Sequence, residues 1–142
     1  MAESPQSHSA GRRPRPLSPF TSIYRWTPTM AASITHRITG MGLFFGTIFL
    51  AWWLIAAAAG PEAYETFANL AVTPLGQLIL FLCALGLIYH LLSGLRHLVW
   101  DVGHGFAPAK ANTWSVLIFL AAILGAAGLF WLVYSQKGFM PL

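Results

Sequence analysis

The run LILFLCALGLIYHLLSGLRHLVW, from Leu78 to Trp100, decides how this chain folds. Crossing the hydrocarbon core of a bilayer takes about 20 mainly apolar residues in a helix, and this run is that long. Set into it is His90, within Tyr89-His90-Leu91-Leu92-Ser93-Gly94-Leu95-Arg96-His97. A polar, metal-capable ring deep in a lipid-spanning helix is costly without a partner, so His90 is the first candidate functional residue.

The rest of the chain agrees with a membrane setting. Of 142 residues, 56% are hydrophobic and 8% are charged, against about 25% charged in an average soluble domain. Too few charges remain to cover a water-facing surface. Two further apolar stretches flank the central one. The first runs from about Met30 to Ala59 and stops at Gly60-Pro61. The second span starts at about Pro74, a first-turn proline, and continues to about Trp100. The third runs from Asn112 or Thr113, read as its N-cap, to about Tyr134 or Ser135. The expected fold is therefore an all-α membrane protein of three transmembrane helices, forming part of a larger heteromeric bundle. Residues 1–17 read as a flexible tail, with Pro5, Pro14 and Pro16 opposing a helix, and residues 18–142 as the membrane domain.

Arg12, Arg13, Arg15, Arg25, Arg37, Arg96 and Lys110 fall on one side of these spans, and only Lys137 on the other. By the positive-inside rule the N-terminus is cytoplasmic, or in the matrix, and the C-terminus lies opposite. The same basic arm would suggest nucleic acid in a soluble protein; beside membrane spans it reads as a topology signal. The single cysteine, Cys83, lies within an apolar run, so neither a disulfide nor a Cys/His zinc site is available, and the C-x-x-C-H of covalent haem attachment is absent.

Spacing assembles the candidate site. His90, Gly94 and His97 share one helical face, with His97 about 10 Å nearer the cytoplasmic end. On the first span Ser33 pairs with Arg37, and His36 with Gly40, at spacing four. Ser33, His36, Arg37, Arg96, His97 and Asp101 are thus expected in one layer, rich in positive charge and suited to anions such as haem propionates. Each also has a plainer reading. His90 would serve as a hydrogen bonder between helices, Arg37 and Arg96 would snorkel to lipid phosphates, and His97 and His104 would be histidines at the membrane edge. A six-coordinate haem takes two axial ligands, and the chain offers one deep histidine, Met41 being a weaker candidate. The second ligand is expected from another chain.

At these residues the sequence resembles the cytochrome b membrane-anchor subunits of succinate dehydrogenase, respiratory complex II. The resemblance rests on Arg15-Pro16-Leu17-Ser18-Pro19, Ile23-Tyr24, Ser33-Ile34-Thr35-His36-Arg37-Ile38-Thr39-Gly40, and His90-x-x-x-Gly94-Leu95-Arg96-His97-Leu98-Val99-Trp100-Asp101-x-Gly103. It implies that His90 is an axial ligand of a haem b shared with a second small anchor subunit. It implies a ubiquinone pocket at Ser33 and Arg37, and places His36, Arg96 and His97 near the haem propionates or the quinone. Phe20 stands where the family often has a histidine, with Thr21 after it. Without a Rossmann fingerprint or a cysteine cluster, FAD and the iron–sulfur clusters belong to flavoprotein and iron–sulfur partner subunits, and this chain does not oxidise succinate by itself. The implied location is a bacterial or mitochondrial inner membrane. The alternatives are the anchor of a fumarate reductase or quinol-oxidising cytochrome b, and a non-redox membrane assembly protein.

Overall fold

The computed structural model describes residues 25–136. The tail at residues 1–17, the Arg15–Pro19 and Ile23-Tyr24 motifs, Phe20, Thr21 and Lys137 lie outside the described residues. Four helices follow one another: α1 (Pro28–Ala59), α2 (Pro61–Ala71), α3 (Pro74–Asp101) and α4 (Pro108–Ser135). Three of them, α1, α3 and α4, are long and apolar enough to cross a membrane. At 1.5 Å per residue even the shorter two reach about 42 Å, beyond the ~30 Å hydrocarbon core.

The long helices start where local chemistry directs. Thr27 and Thr73 are extended N-caps whose hydroxyls accept from the backbone N–H of Met30 and Gly76, each followed by a proline in the first turn. Gly60, at φ 118°, turns the chain between α1 and α2 in a conformation that only glycine adopts cheaply. The third span departs from expectation. It begins at Pro108, one turn before Asn112 and Thr113, and its N-cap Ala107 supplies no side-chain bond. Asn112 does not cap its own helix; its Oδ1 accepts from the Thr29 hydroxyl at 2.7 Å and from the Thr29 backbone N–H at 3.3 Å, a first-turn donor of α1.

The connection between the first two spans is also more than a loop. Residues Pro61–Ala71 form an amphipathic helix that exposes Glu62 and Glu65 and packs Phe67 edge-on against Trp52 at 5.1 Å. Its return into α3 is tight. A Cβ at Gly76 would fall 2.2 Å from the Leu70 carbonyl oxygen.

The helices pack as a bundle around α3, which touches both α1 and α4, while α1 and α4 also meet. Its core is thin and made of small groups. Ala111, Ser115, Ile118, Ala122 and Ala126 form one buried stripe along α4 at spacings of three and four, facing Tyr89 and its neighbours Leu85, Ile88 and Leu92. The bulky side chains point the other way: Phe44, Leu124 and Trp131 are 68%, 71% and 72% exposed. Lipid is as apolar as leucine, so large side chains gain little by turning inward, and small ones let helix backbones approach. Polar pins hold the two ends. Asn112 joins α4 to α1 at one end, and the Tyr134 hydroxyl donates to Gln77 at 2.8 Å at the other.

Candidate functional site

The N-terminal end of α1 and the C-terminal end of α3 lie side by side, and their histidines meet. At 100° per residue, Ser33, His36, Arg37 and Gly40 fall within an arc of about 100° on α1. The His36 ring lies flat on His90, centroids 4.0 Å apart and planes at 10°. It also stacks on His97 at 5.1 Å and 22°. His36 therefore bridges the two levels that its sequence position separates. Gly40 makes this approach possible, since a Cβ there would sit 3.0 Å from His90 Cε1.

The tautomer of His90 follows from its partners. Its Nδ1 lies 3.2 Å from the His36 carbonyl oxygen and 3.3 Å from Thr39 Oγ1. A carbonyl only accepts, so the tautomer that satisfies it is the one with the proton on Nδ1, which leaves Nε2 its lone pair. A backbone carbonyl holding the far nitrogen is the usual arrangement for an imidazole that ligates a metal. His97 is oriented the same way, with Nδ1 donating to the Ser93 carbonyl at 2.7 Å. His36 Nε2 is buried without a hydrogen-bond partner. A buried polar atom left unsatisfied asks for a missing group.

These residues fit a haem better than a metal ion held by side chains alone. Among the described residues no three His, Cys, Asp or Glu side chains are grouped to hold an ion. A porphyrin brings four donors of its own and needs only an axial imidazole, which His90 Nε2 offers. An apolar groove of about 310 Å³ opens between α1 and α3 beside this level, lined by Thr39, Gly42, Gly46, Cys83 and Gly86 among others.

The expected single layer is divided in the structure. Ser33 is half-buried, and Arg37 and Asp101 are exposed. Arg96 turns away from this face into the α3–α4 interface, where it is 7% exposed. Its Nη1 donates to Ser115 Oγ at 2.5 Å and its Nη2 reaches Ser93 Oγ at 3.5 Å. The guanidinium lies over the Trp100 ring, 4.6 Å from its centroid, and Trp100 in turn meets the His97 ring edge-on. The physical reason is angular: six residues from His90 is about 240° around the helix, so Arg96 and the imidazole leave α3 on different sides.

Several contributors are not evident from motifs. Tyr89, buried beside His90, donates its hydroxyl to the Ala32 carbonyl at 2.8 Å and so fixes α1 next to Ser33. Thr39 supports His90. Ser115 and Thr29 connect Arg96 to Asn112. Ser115 closes the polar stretch that opens α4 and carries no motif of its own.

Comparisons with known proteins agree on one family. Residues 11–129 match the Succinate dehydrogenase/Fumarate reductase transmembrane subunit family. The chain is 40% identical over 106 residues to the succinate dehydrogenase cytochrome b556 subunit of Rickettsia felis, covering 73% of this chain and 82% of that one. It is 37% identical over 110 residues to the cytochrome b556 subunit of Paracoccus denitrificans, covering 78% and 85%. To the mitochondrial cytochrome b560 subunit of Sus scrofa it is 33% identical over 120 residues, covering 81% and 69%.

Proposed function

Because the chain belongs to the succinate dehydrogenase/fumarate reductase transmembrane subunit family, a family of multi-pass membrane subunits, we propose that it holds one side of a haem b and part of a quinone-reducing pocket. The observation that carries the haem reading is His90. With its Nδ1 proton on the His36 carbonyl, its Nε2 would be the nitrogen to hold haem iron. When bound, haem b supplies a one-electron carrier within the membrane. His36, through its unpartnered Nε2–H, would donate to a propionate, and His97, whose Nδ1 bonds Ser93, would do so through Nε2 when its ring is protonated. Gly40 keeps the His90 ring in position by leaving it room.

Ser33 and Arg37 form the quinone side. Both leave α1 on the same arc as His36. Ser33 hydrogen-bonds a quinone oxygen, and the Arg37 guanidinium stabilises negative charge developing there during reduction, as a fixed cation does in a site that excludes water. Oxidation of succinate on the flavoprotein partner releases two electrons and two protons. The iron–sulfur partner passes the electrons on, and the quinone takes up two electrons and two protons to become quinol. A second anchor subunit would supply the other iron ligand. The charge asymmetry of the sequence puts the α1 N-terminus and the Ser33–Arg37 layer on the cytoplasmic or matrix side.

In the purified complex, reduced-minus-oxidised spectra should show a b-type band that His90→Ala abolishes. A normal band in that variant sinks the ligand assignment. Arg37→Ala should depress quinone reduction while succinate oxidation by a soluble dye continues. Equal loss of both activities rejects the pocket assignment.

A further inference from the structure

Among the described residues, Arg96 is a buried cation that no carboxylate neutralises. The chain has four Asp and Glu side chains. Glu62 and Glu65 sit on α2 beyond the far end of the bundle, Asp101 is exposed at the end of α3, and Glu3 lies outside the described residues. The guanidinium is held by two serine hydroxyls and one indole face. Its Nε is buried with no partner at all. Mutual neutralisation normally offsets the cost of burying a charge, and ionisable groups kept inside a membrane bundle without it are functional by default.

Its surroundings keep the charge fixed and dry. Ser115 Oγ, which takes the Nη1 bond, is itself fully buried and lies 3.5 Å from Thr29 Oγ1, and Thr29 is tied to Asn112. Trp100 covers the guanidinium. All three long helices therefore contribute to holding one positive charge six residues from His90, about 9 Å along the helix axis. Charges at this range act strongly where water is excluded.

We propose that Arg96 is a resident positive charge that raises the reduction potential of the haem from the opposite side of α3, without touching haem or quinone. The proposal rests on His90 as a haem ligand. Reducing the haem adds one electron to the centre, and a nearby fixed cation favours that electron. Along the axis alone, about 9 Å at an effective dielectric near 20 sets an upper bound of about twenty-fold on the one-electron equilibrium, about 77 mV. Because the two side chains leave α3 on different sides the separation is longer, and a shift of several-fold is expected. Arg96 is thus a positioning residue for electrons, where its place in the sequence suggested a propionate contact.

The test is potentiometric titration of the haem band in the assembled complex carrying Arg96→Gln, Arg96→Lys or Ser115→Asp. Arg96→Gln should lower the midpoint by several-fold in equilibrium constant, and by no more than about twenty-fold, with the band position and haem content unchanged. Arg96→Lys, which keeps the charge, should stay close to wild type. Ser115→Asp, which supplies a neutralising carboxylate beside the guanidinium, should reproduce the fall seen with Arg96→Gln. Ser115→Asp decides the matter where Arg96→Gln does not assemble. An unmoved midpoint in Arg96→Gln or Ser115→Asp overturns the proposal, as does an equal fall in Arg96→Lys. Failure of all three variants to assemble makes Arg96 a folding pin and overturns it too. A wild-type complex without any b-type band would instead refute the proposed function.

Discussion

Gly40→Ala tests the histidine stack with a change of one methyl group. A Cβ at Gly40 would lie 3.0 Å from His90 Cε1 and 3.6 Å from its Nδ1. Ordinary carbon contacts begin near 3.4 Å, so the ring must retreat by about 0.4 Å or α1 must move outward. The ring has little slack. Its Nδ1 bonds to the His36 carbonyl and Thr39 are already 3.2 and 3.3 Å, at the long limit for N–H···O bonds. Moving the ring loses about 1 kcal/mol of hydrogen bonding, and overpacking adds about 1–3 kcal/mol. Against this, alanine gains about 1 kcal/mol over glycine in a helix. Gly42→Ala on the same helix supplies the control, since a Cβ there meets nothing within 4 Å and only the gain remains. The two variants should therefore differ by at least about 2 kcal/mol. The assay is thermal unfolding of the detergent-purified complex, followed through haem absorbance, with haem content measured per complex. Gly40→Ala should melt earlier and hold less haem, whereas Gly42→Ala should match or exceed wild type. Coincident melts and equal haem content would refute the packing argument.

Other contacts make separate predictions. Gly76→Ala places a Cβ 2.2 Å from the Leu70 carbonyl oxygen, a backbone atom that cannot swing aside, so the complex should lose about 1–3 kcal/mol and its yield from membranes should fall. Tyr89→Phe removes the hydroxyl that holds the Ala32 carbonyl; a loss of about 1 kcal/mol is expected, together with a raised KM for quinone, because Ser33 is the next residue along α1. Asn112→Ala removes the acceptor of both the Thr29 hydroxyl and its backbone N–H and should cost about 1–2 kcal/mol in the melt, while the haem spectrum stays unchanged. Tyr134→Phe removes an exposed bond at the far end and should shift the melt by less than Tyr89→Phe does.

The spans were legible because lipid imposes length and hydropathy on them, and because Pro74 and Gly60-Pro61 mark boundaries. The Thr27-Pro28 start was not among those signals, and the first span begins two residues before the expected Met30. The meeting of His36 with the His90 and His97 face was legible in part: helical spacing gave each face, but no pattern within one helix tells how far two helices slide past each other. That sliding turned two expected levels into one stack. The α2 helix escaped notice because its eleven residues carry two glutamates and are too short to suggest a span. The Asn112 cap failed because Pro108 offered an earlier start, which released the amide for Thr29. Arg96 was assigned to the site by its neighbours in sequence, whereas its direction depends on hydroxyls of α4, which only the packing reveals.

The position of those hydroxyls also fixes an order of events during synthesis. Arg96 leaves the ribosome before Asn112 and Ser115, so α3 must enter the bilayer while its guanidinium still lacks the α4 hydroxyl that will hold it. An arginine within a spanning helix is costly, about 2.5–3.5 kcal/mol at the helix centre, and less near an end, where the side chain reaches the interface. Arg96 stands five residues from the end of α3, which lets the nascent helix wait with its charge among lipid headgroups. Arrival of α4 then draws the guanidinium inward onto Ser115. The last span is thereby made the step that closes the bundle, and a chain truncated before Ser115 should remain an open intermediate exposed to membrane proteases.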